Sequence, residues 1–285
     1  MPVNSSELTA TNLFSIAGKT AVLTGASGFL GRTFVRTLLT NGARVVALGR
    51  SERLQREAEG WANEFGQDSI AIHCVDMYDI AALSKVLDQI AAEEKSIDIL
   101  VNNAHELGPG TGFNVPEGAL DTATMDTWMR NLTGGVYWAA LTTQKIGARM
   151  KKQASGSIIN ISTMYALVAP RPQLYEGTDF INPPGYSASK AALLSFTRYV
   201  ASFWGMHGIR ANAILPGPFS NTEDIDGANA VQQDGPFLQR LKGYTCLGRI
   251  GRPDELAGAL LFLASDASSF MTGQGVVVDG GWTAV

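Results

Sequence analysis

The chain has 285 residues and a mass of 30.3 kDa, with 45% hydrophobic and 17% charged residues; this is enough apolar material for a sizeable core and too much for a disordered chain. A formal net charge of −4 and a pI near 5.4 oppose nucleic acid as a partner. Two cysteines, three histidines without metal-ligand spacing and no apolar run of membrane-spanning length leave no disulfide framework, metal site or membrane span to expect.

In chain order, residues 1–7 lack the basic start and apolar stretch of a signal peptide. Residues 1–13 read as an N-terminal extension and 14–285 as a single domain. Cys74 and Cys246 sit in apolar stretches outside any CxxC pair, so a reducing, cytoplasmic setting is expected. From Lys19 onward, short apolar runs alternate with longer helical patterns. Residues 19–24, 44–48, 69–75, 97–101, 157–162, 209–215 and 275–278 read as strands. Most are apolar at nearly every position, as strands covered on both faces must be. Helical patterns lie between them, such as 29–40, with Leu30, Phe34, Val35 and Leu38 on one face, and 80–92. Another covers 188–204, where Ala191, Leu194, Phe196, Tyr199 and Phe203 recur at mixed three- and four-residue spacing. This alternation predicts an α/β fold with a parallel sheet wound on both faces by right-handed crossovers.

Two stretches break the rhythm. Residues 168–185 hold four prolines and no period, and 217–243 are polar, with Glu223, Asp224, Asp226 and Asp234. Both leave the carboxyl ends of strands and are expected to form a substrate mouth. Arg171, Tyr175 and Glu176 would supply polar contacts there, and the second loop has few large apolar residues apart from Phe219, Phe237 and Leu238.

The first strand ends in Thr24-Gly25-Ala26-Ser27-Gly28-Phe29-Leu30-Gly31 and runs into a helix. Glycines in that context let the backbone approach a pyrophosphate, and the helix start offers unpaired N–H groups. A glycine-rich turn that binds nothing is the alternative. After the second strand, Gly49 stands where an acidic residue would accept the ribose hydroxyl of NAD, and Arg50 follows it. That favours NADP(H), with NAD(H) as the second candidate; a solvated arginine at a strand end is the competing reading. Tyr186 and Lys190 stand at i and i+4 on one helix face. A fixed ammonium beside a phenol stabilises the phenolate and suits the tyrosine to acid/base work.

Thr24-Gly25…Gly31, Asn102-Asn103-Ala104, Ser162-Thr163, Tyr186…Lys190, Pro216-Gly217 and Val278-Asp279-Gly280-Gly281 occur in this order. Together they resemble the short-chain dehydrogenase/reductase superfamily over nearly the whole chain from about Phe14. Length and ending are similar to its single-domain short subfamily, whereas the glycines are spaced as in the extended subfamily. The resemblance implies a Rossmann-type doubly wound fold with a seven-stranded parallel sheet, order 3-2-1-4-5-6-7. It also implies NAD(P)-dependent hydride transfer between a secondary alcohol and a ketone, on a small-molecule substrate that could be sugar-derived.

By the same resemblance, Tyr186 would be the acid/base, Lys190 would hold the nicotinamide ribose and Thr163 would replace the usual substrate-binding serine. Asn131 would support a water and proton relay to the lysine. Gly25, Ser27, Gly28, Phe29, Leu30 and Gly31 would form the phosphate turn. Asp76 and Met77 would pack around adenine, Asn103 and Ala104 would border a ribose, and Pro216, Gly217 and Phe219 would meet the carboxamide. His105 stands where the family has a glycine and could touch substrate or fill a strand end. A homo-oligomer, tetramer or dimer, is implied. Two other functions fit parts of the pattern. One is a dinucleotide-binding regulator with weak catalysis; the other is a sugar-nucleotide epimerase or dehydratase, suggested by the glycine spacing alone.

Overall fold

A computed structural model describes residues 8–50, 52–220 and 235–285; the acidic residues of the second loop and residues 1–7 lie outside the described residues. A four-residue helix, α1 (Ala10–Leu13), precedes the sheet, and Phe14 then packs its ring on Phe262. The seven strands are β1 (Thr20–Thr24), β2 (Arg44–Gly49), β3 (Ile70–Cys74), β4 (Ile99–Asn102), β5 (Gly156–Ile161), β6 (Ile209–Pro216) and β7 (Gly275–Val278). All pair in parallel, in the order β3-β2-β1-β4-β5-β6-β7. The sheet therefore matches the expected topology, and its direction of winding reverses between β1 and β4.

Side chains alternate across the strands and divide the core into two layers. Ala21, Leu23, Val45, Ala47 and Ile159 face one side, where they meet α2 (Phe29–Thr40), α3 (Glu52–Phe65) and α9 (Ala257–Ala264) through Phe34, Trp61 and Leu260. Val22, Val46, Leu48 and Ile158 face the other side. There they meet α4 (Ile80–Glu93), α6 (Trp138–Gln153) and α7 (Pro184–Trp204) through Leu87, Ile146 and Val200. Apolar residues at consecutive strand positions thus have a physical reason: each layer takes every second one.

Cys74 and Cys246 are both exposed and free; Cys74 ends β3, an edge strand that is covered only in part. Two sequence patterns take on a different meaning in the fold. On α7, Leu194 is buried, but Tyr199 and Phe203 are 57% and 61% exposed and stack on each other at 4.3 Å. The stripe that faces inward is Ser189, Lys190, Leu193, Leu194, Thr197, Val200 and Ala201, so three polar side chains lie on the buried face and the aromatic pair does not. Finally, the proline-rich stretch is not an open loop. Leu174 is buried with Met164, Trp282 and the Leu238 and Leu241 side chains of α8 (Pro236–Gly243). Arg240 closes this small core by donating from Nη1 to the carbonyls of Leu174 and Glu176. Its last two prolines then start α7, with Pro183 as the cap and Pro184 in the first turn, where a missing N–H costs nothing.

No helix among the described residues is long and apolar enough to cross a membrane.

Candidate active site

A cleft of about 380 Å³ opens at the carboxyl ends of the strands, over the reversal between β1 and β4. That is where an open parallel sheet leaves room between crossovers that depart to opposite faces.

One end of the cleft is glycine-built. Gly25 has φ +69°, and a Cβ there would stand 2.9 Å from the Ala104 Cα. A Cβ on Gly31 would lie 2.1 Å from the Gly25 carbonyl oxygen, so this turn closes only with glycine at that position. Gly31 does not line the cleft but lets α2 close on the turn behind it. Gly28 caps α2 without a side-chain hydrogen bond, so the first N–H groups of the helix are left for something in the cleft. Ser27, Gly28, Phe29 and Leu30 line that wall. Asn103 holds it in place, donating from Nδ2 to the carbonyls of Thr24 (3.2 Å) and Gly25 (3.0 Å). The Asn103 and Ala104 amides both donate to the Thr24 hydroxyl at 3.1 Å.

Beyond the turn, Arg50 lines the cleft and is exposed. Gly49 beside it is closely packed: a Cβ would meet Leu54 Cδ2 at 3.2 Å and Ser27 Oγ at 3.4 Å. The expected pair Asp76 and Met77 is split. Met77 lines the cleft together with Val75, which the sequence reading missed. Asp76 is exposed and accepts the Tyr78 amide at 3.0 Å, because adjacent residues leaving a strand point to opposite sides.

The other end carries the titratable groups. Tyr186 enters from the first turn of α7 with its ring held edge-to-face between His105 (5.1 Å) and Phe113 (5.2 Å). Burial pushes the phenol up to about 12, and a hydrogen bond with the Thr163 hydroxyl works against that rise. Thr163 is itself buried, one residue past Ser162, whose hydroxyl donates to the Lys190 carbonyl at 3.0 Å. Burial also lowers the Lys190 ammonium to about 7. Its Nζ donates to the Ile161 carbonyl at 2.8 Å. The i, i+4 spacing does bring both residues to the cleft, but it does not aim the ammonium at the phenol. In this geometry Thr163, not Lys190, eases the tyrosine toward ionisation.

Asn131 lies behind the cleft at the end of α5 (Met125–Leu132) and is buried. Its Nδ2 donates to the Thr111 and Thr127 carbonyls at 2.7 and 2.8 Å, and its side chain also meets the His105 ring. Between α5 and α6 the chain makes a π-turn (Thr133–Tyr137), a departure from regular helix that often marks a functional position. Gly135 in that turn allows a close crossing of α7, since a Cβ would fall 2.0 Å from Ser189 Oγ.

Pro216, Gly217 and Phe219 complete the rim after β6. Gly217 packs against Asp279, whose carboxylate accepts the Gly281 and Thr283 amides at 2.8 and 2.9 Å. His105, Glu106 and Trp138 also line the cleft. No sequence motif marks the last two; Glu106 accepts the Tyr78 hydroxyl at 2.6 Å and Arg130 Nη1 at 3.2 Å. No residue of 168–185 lines it. Arg171 instead lies over the Tyr244 and Trp282 rings at 4.6 and 5.7 Å and donates to the Val285 carbonyl at 3.0 Å. The expected contribution of Arg171 to the mouth is therefore corrected: its guanidinium ties down the C-terminal end.

A glycine turn at a strand-order reversal, with Tyr186 beside buried Thr163 and Lys190, defines a dinucleotide-dependent oxidoreductase. The sequence model of a family described as Enoyl-(Acyl carrier protein) reductase matches residues 25–283. Sorbose reductase of Schizosaccharomyces pombe is 33% identical over 279 residues, covering 95% of this chain and 98% of that protein. Gluconate 5-dehydrogenase of Gluconobacter oxydans is 33% identical, covering 95% and 97%. Among solved structures, gluconate 5-dehydrogenase of Burkholderia cenocepacia in complex with NADP and tartrate superimposes with a TM-score of 0.82 at 29% identity, covering 97% of this chain and all of that one. The chain belongs to the short-chain dehydrogenase/reductase superfamily, whose members are NAD(P)-dependent oxidoreductases acting on CH–OH groups.

Proposed function

We propose that this protein interconverts a polyhydroxylated secondary alcohol and its ketone with NADP(H) as the preferred cofactor and NAD(H) as the second. The observation that carries the reading is the Tyr186–Thr163 hydroxyl pair beside Lys190 in one cleft with the Gly25–Gly31 turn. The turn fits the pyrophosphate: its glycines leave no room for side chains, and the helix behind it starts without a side-chain cap. Gly25, Ser27, Gly28, Phe29 and Leu30 would hold the phosphates, Arg50 the 2′-phosphate, and Val75 and Met77 the adenine. Asn103, Ala104 and Lys190 would border ribose, and Pro216, Gly217 and Phe219 the carboxamide. When bound, the nicotinamide supplies or accepts the hydride.

The chain's own part is proton transfer and polarisation. Thr163 and Tyr186 both donate to a substrate carbonyl oxygen, which draws charge off the carbon, and Tyr186 then delivers the proton. With the phenol raised to about 12, Tyr186 holds its proton at neutral pH and is ready as an acid for reduction. Asn131 ties α5 to the Thr111 segment behind the cleft. Support for a polyhydroxylated substrate comes from relatives named as acting on sorbose, gluconate and threitol.

A second copy of the chain is the proposed partner, as a dimer or tetramer, in the cytoplasm. The exposed Tyr199–Phe203 stack on α7 and the exposed Met125 and Met129 on α5 are apolar surface that a second subunit would cover. Light scattering should give a multimer at micromolar concentration; a monomer would refute this part.

The activity is tested by following reduced-nicotinamide absorbance with a panel of ketoses, polyols and sugar acids, in both directions and with both cofactors. Turnover of at least one polyhydroxylated pair, faster with NADP(H), is expected. Cofactor binding with no turnover across the panel would favour a regulatory dinucleotide-binding role.

A further inference from the structure

Phe113, one of the two rings against Tyr186, belongs to a tightly folded segment, residues 108–118. On one side of the ring, Thr111 is fully buried; its hydroxyl donates to the Gly108 carbonyl at 2.9 Å and its carbonyl accepts Asn131 Nδ2 at 2.7 Å. Further on, Gly112 and Gly118 cross so closely that a Cβ on Gly118 would stand 1.7 Å from the Gly112 carbonyl oxygen. Between them Asn114 follows Phe113 with φ +58°. That left-handed conformation is disfavoured for a residue with a Cβ and persists only where the surroundings enforce it. Among the described residues Ala154 shares it, but Ala154 ends α6, where left-handed backbone is ordinary. Asn114 ends no such helix.

What the unusual backbone achieves is a two-way bond with Ile181. The Ile181 amide donates to Asn114 Oδ1 at 3.1 Å, and the Asn114 amide donates to the Ile181 carbonyl at 3.5 Å. Ile181 stands two residues before Pro183, the cap of α7, and five before Tyr186. The contacts therefore close a ring. Phe113 meets the Tyr186 ring edge-to-face, Asn114 next to it holds Ile181, and the chain from Ile181 returns through Pro183 and Pro184 to Tyr186. Two prolines fix φ along that return path and leave it little slack. With His105 against Tyr186 as well, the phenol is held in one direction. A proton donor must come within hydrogen-bond reach of the substrate oxygen, and a displacement of about 1 Å can cost on the order of 10²-fold in rate.

We propose that Asn114 is a positioning residue of this site, whose Oδ1 locks the Phe113 segment to the start of α7 and thereby fixes the Tyr186 ring for proton transfer. The assignment rests on the reading of Tyr186 as the acid/base. Neither Asn114 nor Phe113 lines the cleft, so Asn114 acts through the ring contact and not on substrate or cofactor. The proline-rich stretch thus serves the site from behind: its last residues are the part of the chain that Asn114 grips.

Three variants test this in the full chain with the best substrate from the panel, beside Tyr186→Phe. Asn114→Gly keeps the left-handed backbone and its amide and removes the side-chain acceptor. Its kcat should fall about 10- to 100-fold, with KM and NADP(H) affinity unchanged. Asn114→Asp keeps an oxygen for the Ile181 amide and should restore most of that loss. Phe113→Leu keeps an apolar contact but takes the ring away from Tyr186, and should show the same split of lowered kcat and unchanged KM. If Asn114→Gly matches the parent in kcat while Tyr186→Phe is slow, the proposal fails and the Tyr186 reading stands. It fails too if the Gly and Asp variants are equally impaired, since the acceptor is then not what matters. A raised KM with unchanged kcat would make Asn114 part of the substrate wall and also refute it. Where Asn114→Gly melts below the assay temperature, Phe113→Leu decides, and a parent-like kcat there overturns the proposal. A Tyr186→Phe variant as fast as the parent would remove the reading on which the proposal rests.

Discussion

Replacing Tyr186 by Phe removes one oxygen from a ring that His105 and Phe113 grip edge-on, so shape and packing should survive. The buried hydroxyl has one neutral hydrogen bond, to Thr163, worth about 1 kcal/mol net, and the melting temperature should move little. The rate should not be spared. A positioned acid/base contributes ~10²–10⁴-fold, or about 3–5 kcal/mol at 1.36 kcal/mol per decade. The pH dependence separates this from simple damage. With the phenol near 12, only about one molecule in 10⁵ carries phenolate at pH 7. Reduction, which needs the protonated form, should therefore be flat through neutrality in the parent. Oxidation should climb roughly tenfold per pH unit until the working pKa of the loaded enzyme is reached. In the Phe variant both directions should be slow and the climb lost, with cofactor affinity by fluorescence titration unchanged. A variant that keeps the parent's oxidation rate and its slope against pH would refute the assignment of Tyr186.

Arg50→Ala should weaken NADP(H) binding by about 1.5–3 kcal/mol, the range of a charge-assisted hydrogen bond, and leave NAD(H) nearly unaffected; equal loss for both in parallel titrations would show that Arg50 does not read the phosphate. Lys190, lowered to about 7 in the folded chain against ~10.4 unfolded, binds fewer protons folded than unfolded between those values, so its charge opposes folding fully below pH 7 and progressively less above it. The Tm difference between Lys190→Met and the parent should thus fall as pH rises from 6 to 10 in thermal melts, and a difference independent of pH would contradict the lowered ammonium. Arg171→Ala should reduce stability by about 1–2 kcal/mol through its lost contacts with Tyr244 and Trp282, leaving KM unchanged; a raised KM with an unchanged melt would return Arg171 to the substrate mouth.

Most of the architecture was legible because its signals are local. A strand covered on both faces must be apolar at consecutive positions, and a helix must repeat its apolar face every three or four residues, so strands and crossovers could be placed from the sequence alone. The glycine turn was equally plain: backbone that must pass within 2.1 Å of where a Cβ would sit admits no other residue, as at Gly31. The sequence by itself thus determined the parallel sheet, the turn at the end of β1 and the residues that gather at its carboxyl rim.

Direction and environment were decided by tertiary structure. The spacing of Tyr186 and Lys190 placed them on one face but could not show that the ammonium turns to the Ile161 carbonyl. Nor could composition distinguish the buried stripe of α7 from its exposed Tyr199 and Phe203, since both look apolar until the packed face is known. Arg171 looked like a ligand-facing residue until the C-terminal rings came under it. His105 was ambiguous for the same reason. Its surroundings, Asn131 and the π-turn, come from some thirty residues further along, and no local pattern reports them. Long-range packing sets which groups lose water and what replaces it, and that is the physical quantity a one-dimensional pattern does not contain.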